Sequence, residues 1–423
     1  MGFRGVRRAG HWPTLVCALL GLDLCFVVWG LLGPLSRVRP GPLRLSAGQE
    51  VLVATLPLLS GALLCPLFGL LTDRFGGRRM AILTLVLTSL PLLLGWLGGT
   101  TYPQLLLLAS LLGVAGGSFA VALPLVSRWH SLEHQGLVLG LVGVGSGGLI
   151  AANSLVPVLM PLLGWHGIFG AALLAIVVLL LLTVLVVRDA PGPLVRRPWK
   201  ENLDFTVSRD VVRFSVFYFL TFGGFVGLLL FLPFFFKEQY GIDLIRAGIF
   251  AGICGVFGSI FRPVGGFLSD RLGGVVMLFL CFLGLGFLGM WMSYLPHLEV
   301  ATYCVFLTIA LLGIGSGALL QLVPYHAQEQ IGLGIGLVGG AGALGCCLVP
   351  WALVASYRWT GRFGPGFFHL GMIGFAAAGL LIQASRDWGN QYEKLAGHSR
   401  AGRPVSVRER GTRMDVTAKP MSS

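Results

Sequence analysis

Twelve apolar runs of about 20 residues or more succeed one another along the chain, at 12–33, 49–71, 80–98, 102–127, 136–162, 165–187, 211–236, 245–268, 275–295, 299–323, 330–355 and 363–385. A helix needs about 20 apolar residues to cross the hydrocarbon of a bilayer. The succession therefore predicts an all-α polytopic membrane protein with twelve transmembrane helices. Strands of a membrane β-barrel would read as about 10 residues of alternating polarity, whereas these runs are continuously apolar. Only 11% of the 423 residues are charged, too few to clothe a soluble surface of this size.

The first run follows a basic segment, MGFRGVRR, as a secretory signal would. It is too long for the apolar core of a signal and no A-x-A-like site follows, so an uncleaved first helix is expected. Val6 argues against N-myristoylation, which asks for Ser or Thr at that place. The 63 glycines read mainly as packing positions, because small residues let helix backbones approach closely in lipid.

A net charge of +13 could suggest nucleic acid, but its distribution points to the membrane. With the N-terminus cytoplasmic, 22 of the 30 Lys and Arg fall on the cytoplasmic side and seven on the other, and Arg262 sits inside an apolar run. This asymmetry follows the positive-inside rule and predicts two cytoplasmic termini; no nucleic-acid partner is expected. All eight cysteines lie in apolar runs without a CxxC pair, so neither a disulfide framework nor a zinc site is indicated.

The chain repeats itself in parallel order. An offset of 197 places GALLCPLFGLLTDRFGG (61–77) on GSIFRPVGGFLSDRLGG (258–274), so that Cys65-Pro66 matches Arg262-Pro263 and Asp73-Arg74 matches Asp270-Arg271. At offset 200, LLGVAGG (111–117) meets LLGIGSG (311–317); at offset 196, GLVLGLVG (136–143) meets GLGIGLVG (332–339). Between the halves lies the Pro-rich, charged stretch 188–210. The expected organisation is an N-terminal six-helix bundle (1–187), a cytoplasmic linker (188–210), a C-terminal six-helix bundle (211–385) and a disordered basic cytoplasmic tail (386–423). Two such bundles form the transporter architecture in which substrate sits near the midplane and access alternates.

GLLTDRFGGRR (69–79) resembles the loop 2–3 signature of the major facilitator superfamily, and FLSDRLGG (267–274) is its echo in the second half. The resemblance makes Asp73, Arg74, Arg78, Asp270 and Arg271 candidates for a cytoplasmic gate. Physically, the two carboxylates can engage helix N-termini or arginines across the halves. Solvated loop charges that only orient the helices are the plainer alternative.

Four further blocks, 126–148, 217–236, 261–274 and 332–345, are similar to the nitrate/nitrite porter family of that superfamily over residues 12–355. That resemblance implies import of nitrate, export of nitrite or their exchange across a bacterial inner membrane. It also implies that Arg262 is one of two substrate-binding arginines. A guanidinium stays charged at the midplane and presents a planar fork to a planar oxyanion. The second family arginine is Cys65 here, and the signature asparagine is Ser146; Ser316 raises a similar question. By motif position Phe119, Tyr218 and Phe222 flank the site, and Gly143, Gly145, Gly148, Gly339 and Gly342 are signature glycines.

GVGSGG (143–148) satisfies G-x-G-x-x-G but lies in an apolar helix without a preceding strand, which argues against a dinucleotide site, and no P-loop motif occurs. No cofactor, metal or enzymatic constellation is expected. Asp23, in the first run, is the one clear intramembrane carboxylate and a candidate for proton coupling; His369 has no visible relay partner. The leading expectation is a secondary transporter of a small inorganic anion, nitrate or nitrite, working as a monomeric unit. Transport of another small solute, or a non-transporting membrane sensor or assembly protein on the same scaffold, are the alternatives that Cys65 and Ser146 leave open.

Overall fold

A computed structural model of the chain describes residues 10–37, 45–98, 101–192, 197–327 and 330–397. Among the described residues there is no strand. Eleven helical runs among the described residues are long and apolar enough to cross a membrane. One of them, Leu132–Val186, has 55 residues and breaks at Gly164, where φ is 66° and ψ 178°. Glycine adopts that left-handed conformation without a Cβ clash. Gly164 falls between the fifth and sixth expected runs, so eleven runs make twelve passages.

The passages are α1 (Trp12–Ser36), α2 (Gly48–Phe75), α3 (Gly77–Leu97), α4 (Tyr102–Ser127), α5 (132–163), α6 (165–186), α7 (Arg209–Tyr240), α8 (Ile245–Leu272), α9 (Gly274–Met292), α10 (Leu298–His326), α11 (Ile331–Thr360) and α12 (Gly364–Gly397). A short helix, Trp199–Thr206, lies in the linker between α6 and α7.

The halves meet along two seams, α2 against α11 and α5 against α8. Glycine makes both possible. A Cβ added to Gly69 or Gly332 would overlap the carbonyl of the other, and the same holds for Gly136 and Gly266. One turn further in, Gly336 lies against the Cys65 carbonyl and Gly140 against the Arg262 carbonyl. With no hydrophobic force between helices in lipid, such close approach is what holds a seam together.

One boundary needs correction. The tail expected from residue 386 begins instead as the last turns of α12, which runs to Gly397. The reason is visible in Asp387 and Trp388. Asp387 accepts a hydrogen bond from Arg213 at the start of α7, and the Trp388 indole donates to Asp210 at 2.9 Å while stacking on Phe214. The first nine residues, and residues 398–423 of the expected tail, lie outside the described residues.

Candidate functional site

Arg262 is fully buried at the centre of the molecule, 0% exposed. Its guanidinium donates from Nε to Ser316 Oγ at 2.9 Å, from Nη1 to the Gly143 carbonyl at 2.6 Å and to Ser146 Oγ, and from Nη2 to the Tyr218 hydroxyl at 3.3 Å. The two serines have their own hydroxyl protons committed elsewhere: Ser146 donates to the Gly143 carbonyl and Ser316 to the Gly313 carbonyl, each at 2.8 Å. Their oxygens are thereby turned toward the arginine as acceptors. Phe222 lies under the guanidinium at 4.7 Å, within cation–π range.

Every one of these partners is neutral. Among the described residues no carboxylate ion-pairs with Arg262; the four ion pairs lie elsewhere. A charged side chain at mid-membrane costs about 2.5–3.5 kcal/mol on insertion scales. Four hydrogen bonds to a charged group, at about 1.5–3 kcal/mol each, outweigh that. The cation is thus stably held while its charge stays uncompensated, which is the electrostatic condition for attracting an anion.

Irregular helices bring these groups together. Ser146 sits in a 3₁₀ turn of α5 at Val144–Gly147, and Tyr218 and Phe222 flank or occupy a π-helical turn of α7 at Phe219–Gly223. Helix α4 is interrupted at Gly117 and Ser118, just before Phe119. Irregular backbone at membrane depth is tolerated where protein encloses it, and often marks a functional position. The rings of Phe119, Tyr218 and Phe222 form a cluster with centroids 5.2–6.3 Å apart. Phe26 of α1 joins it, 6.4 Å from Phe222.

Cys65 is 1% exposed, and its thiol donates to the Gly116 carbonyl at 3.4 Å. The signature glycines serve close contacts. Gly339 lies against Phe119, Gly342 against Tyr218 and Phe222, and Gly143 against Arg262. Gly145 and Gly148 instead receive the backbone of α1 around Asp23.

At the loop 2–3 end the two repeat carboxylates act alike. Asp73 accepts the backbone N–H groups of Gly332 and Leu333, at 2.9 and 2.8 Å, and Asp270 those of Gly136 and Leu137 at the same two distances. Each carboxylate therefore sits at the positive start of a helix in the opposite half. Asp73 also pairs with Arg128 of its own half.

The neighbouring basic residues do not share this arrangement. Arg78 stays within its half: its backbone N–H donates to Asp189 and its side chain to the Val184 carbonyl. Arg271 lies over the Phe267 ring of its own helix at 4.2 Å. Arg74 has a partner in its surroundings. Asp23 is half-buried on α1 beside the Gly148 amide, with no hydrogen bond to the Arg262 cluster.

Sequence reading passed over Arg128, Phe26 and the backbone donors of Gly136 and Gly332. Phe26 was findable, since an offset of 196 places it on Phe222. Backbone donors carry no residue signature.

The model of the Major Facilitator Superfamily matches residues 29–350. The chain is 30% identical to the "Nitrite extrusion protein" of Bacillus subtilis, covering 90% of this chain and 95% of that protein. It is 32% identical to the "Probable nitrate/nitrite transporter NarK2" of Mycobacterium tuberculosis, with 82% and 90% covered. Among solved structures, the proton:xylose symporter XylE superposes with a TM-score of 0.72 at 17% identity, over 89% of this chain and 96% of that one. The last likeness shows the fold alone. By the extent of the model match and of these relatives, the chain belongs to the major facilitator superfamily, in its nitrate/nitrite porter family.

Proposed function

We propose that this protein moves nitrate and nitrite across a bacterial inner membrane by alternating access around Arg262, as a monomeric transport unit. The observation that carries the reading is the buried guanidinium, held only by neutral groups on both halves. One cation suits one negative charge. The Nη2 edge has the longest bond, to Tyr218, and faces the cluster of Phe119, Tyr218 and Phe222, whose electropositive ring edges can flank a planar anion. An oxyanion enters there, and Ser146 and Cys65 line the approach.

Asp73 and Asp270 close the cytoplasmic side, the side on which most Lys and Arg fall. Opening that side requires both carboxylates to leave their helix starts; Arg74, Arg78 and Arg271 support the loops that carry them. The relatives named for nitrate and nitrite agree with this assignment of cargo.

Flux into proteoliposomes tests the reading. Nitrate or nitrite transport is expected from wild type and should fall at least about a hundredfold in Arg262→Ala, the scale set by removing a buried charge from its partners. A folded, reconstituted wild type that moves neither ion would overturn it.

A further inference from the structure

We infer that this carrier reorients without bound anion, so that it performs net flux of its substrate as well as exchange. The inference rests on the reading of Arg262 as the substrate's cation.

Alternating access passes through a form closed on both sides. In that form the central cation is enclosed, and an enclosed charge without partners is strongly unfavourable. A carrier that relies on substrate alone to compensate its cation is confined to exchange, because the unloaded form cannot close.

Here the protein supplies the partners itself. Ser316 and Tyr218 hold the guanidinium from the C-terminal half, and the Gly143 carbonyl and Ser146 hydroxyl hold it from the N-terminal half. Four of the five N–H positions of the fork are served, two of them across the halves. Arg262 is thus at once the anion's receptor and a bridge that closes the halves around itself. The place equivalent to Arg262 adds no second charge: Cys65 makes a short contact to Gly116 within its own half. Two buried guanidiniums would repel one another until an anion arrived, and that barrier is missing. An incoming anion takes the unserved N–H of Nη2, so the carrier closes loaded, with the anion's charge added, and unloaded, on its neutral acceptors alone.

The test uses full-length protein in liposomes loaded with labelled nitrite, with the membrane potential clamped by potassium and valinomycin. Dilution into nitrite-free medium reads net efflux; dilution into unlabelled nitrite reads exchange. The expected result is net efflux within about tenfold of exchange. The double variant Ser146→Ala/Ser316→Ala should lower net efflux about tenfold more than exchange, since only in the loaded carrier does the anion's charge make up for the lost acceptors. Exchange with net efflux no faster than from protein-free liposomes would overturn the inference, as would an equal fall of both modes in the double variant. Absence of both modes in wild type would instead remove the nitrate/nitrite reading beneath it.

Discussion

Asp73 of α2 and Asp270 of α8 each accept two backbone N–H bonds at the start of a helix in the opposite half. About two turns further along the same two helices stand Cys65 and Arg262. These also begin alike: Cys65 touches Gly116 of α4, and Arg262 touches Ser316 of α10, the places related by the repeat. Beyond that contact they part. Arg262 reaches across to Gly143 and Ser146 of α5, whereas Cys65 is too short to reach their counterparts in α11, Gly339 and Gly342. Aromatic rings fill that space instead. Capping a helix start uses backbone donors that any sequence provides, so both copies of the proposed gate are intact. The centre depends on side-chain length and charge, and there the two halves have diverged.

Restoring the missing cation is the strongest way to break this asymmetry. Cys65→Arg would place a second guanidinium where the Gly116 carbonyl is the only acceptor now in use. An uncompensated buried charge costs about 3–5 kcal/mol. Net nitrite flux should therefore fall by more than about a hundredfold, while exchange persists and nitrate raises the melting temperature more than in wild type. Net flux that survives in Cys65→Arg would show that charge at this place does not decide the mode.

The gate should respond more mildly, and unequally. Asp73→Asn removes the charge from a helix start and also the ion pair with Arg128, while Asp270→Asn does only the former. A carboxylate at a helix start contributes about 0.3–1 kcal/mol, up to ~2 when partly buried. Spin labels on Phe75→Cys and Leu272→Cys, both exposed positions at that end, report its opening. A several-fold larger open population is expected for Asp73→Asn, and a smaller gain for Asp270→Asn. Equal responses would mean that Arg128 contributes nothing to closure.

Much of this was legible because membrane helices are written in plain composition. The twelve runs, the repeat and the carboxylate pair at the loops all appear as strings. What sequence could not show was where a donor points. The donors to Asp73 and Asp270 are main-chain N–H groups of Gly332, Leu333, Gly136 and Leu137, and main chain has no letter. The charged string after 385 looked like a tail because its apolar content is low, yet Asp387 and Trp388 find partners on α7 that no local pattern announces. Gly164 splits one continuous helical run, a break that only its backbone angles reveal.

The two smallest predictions concern residues at the edge of the asymmetric centre. Tyr218→Phe deletes the longest of the four bonds to Arg262 and keeps the ring. Loss of one such bond costs about 1 kcal/mol, so the KM for nitrite should rise a few-fold with little change in the maximal rate. Asp23→Asn should do less still. Its half-buried carboxylate stands beside the Gly148 amide, and the α1 backbone around it packs on Gly145 and Gly148, which places it on the contact between α1 and α5 within one half. Asparagine keeps the size and polarity of that side chain. Flux should stay within about twofold of wild type, the usual effect of a change outside the core machinery, with the same dependence on an imposed pH gradient. A gradient response present in wild type and absent in Asp23→Asn would instead make this carboxylate the proton carrier, and would shift the functional asymmetry from the centre to α1.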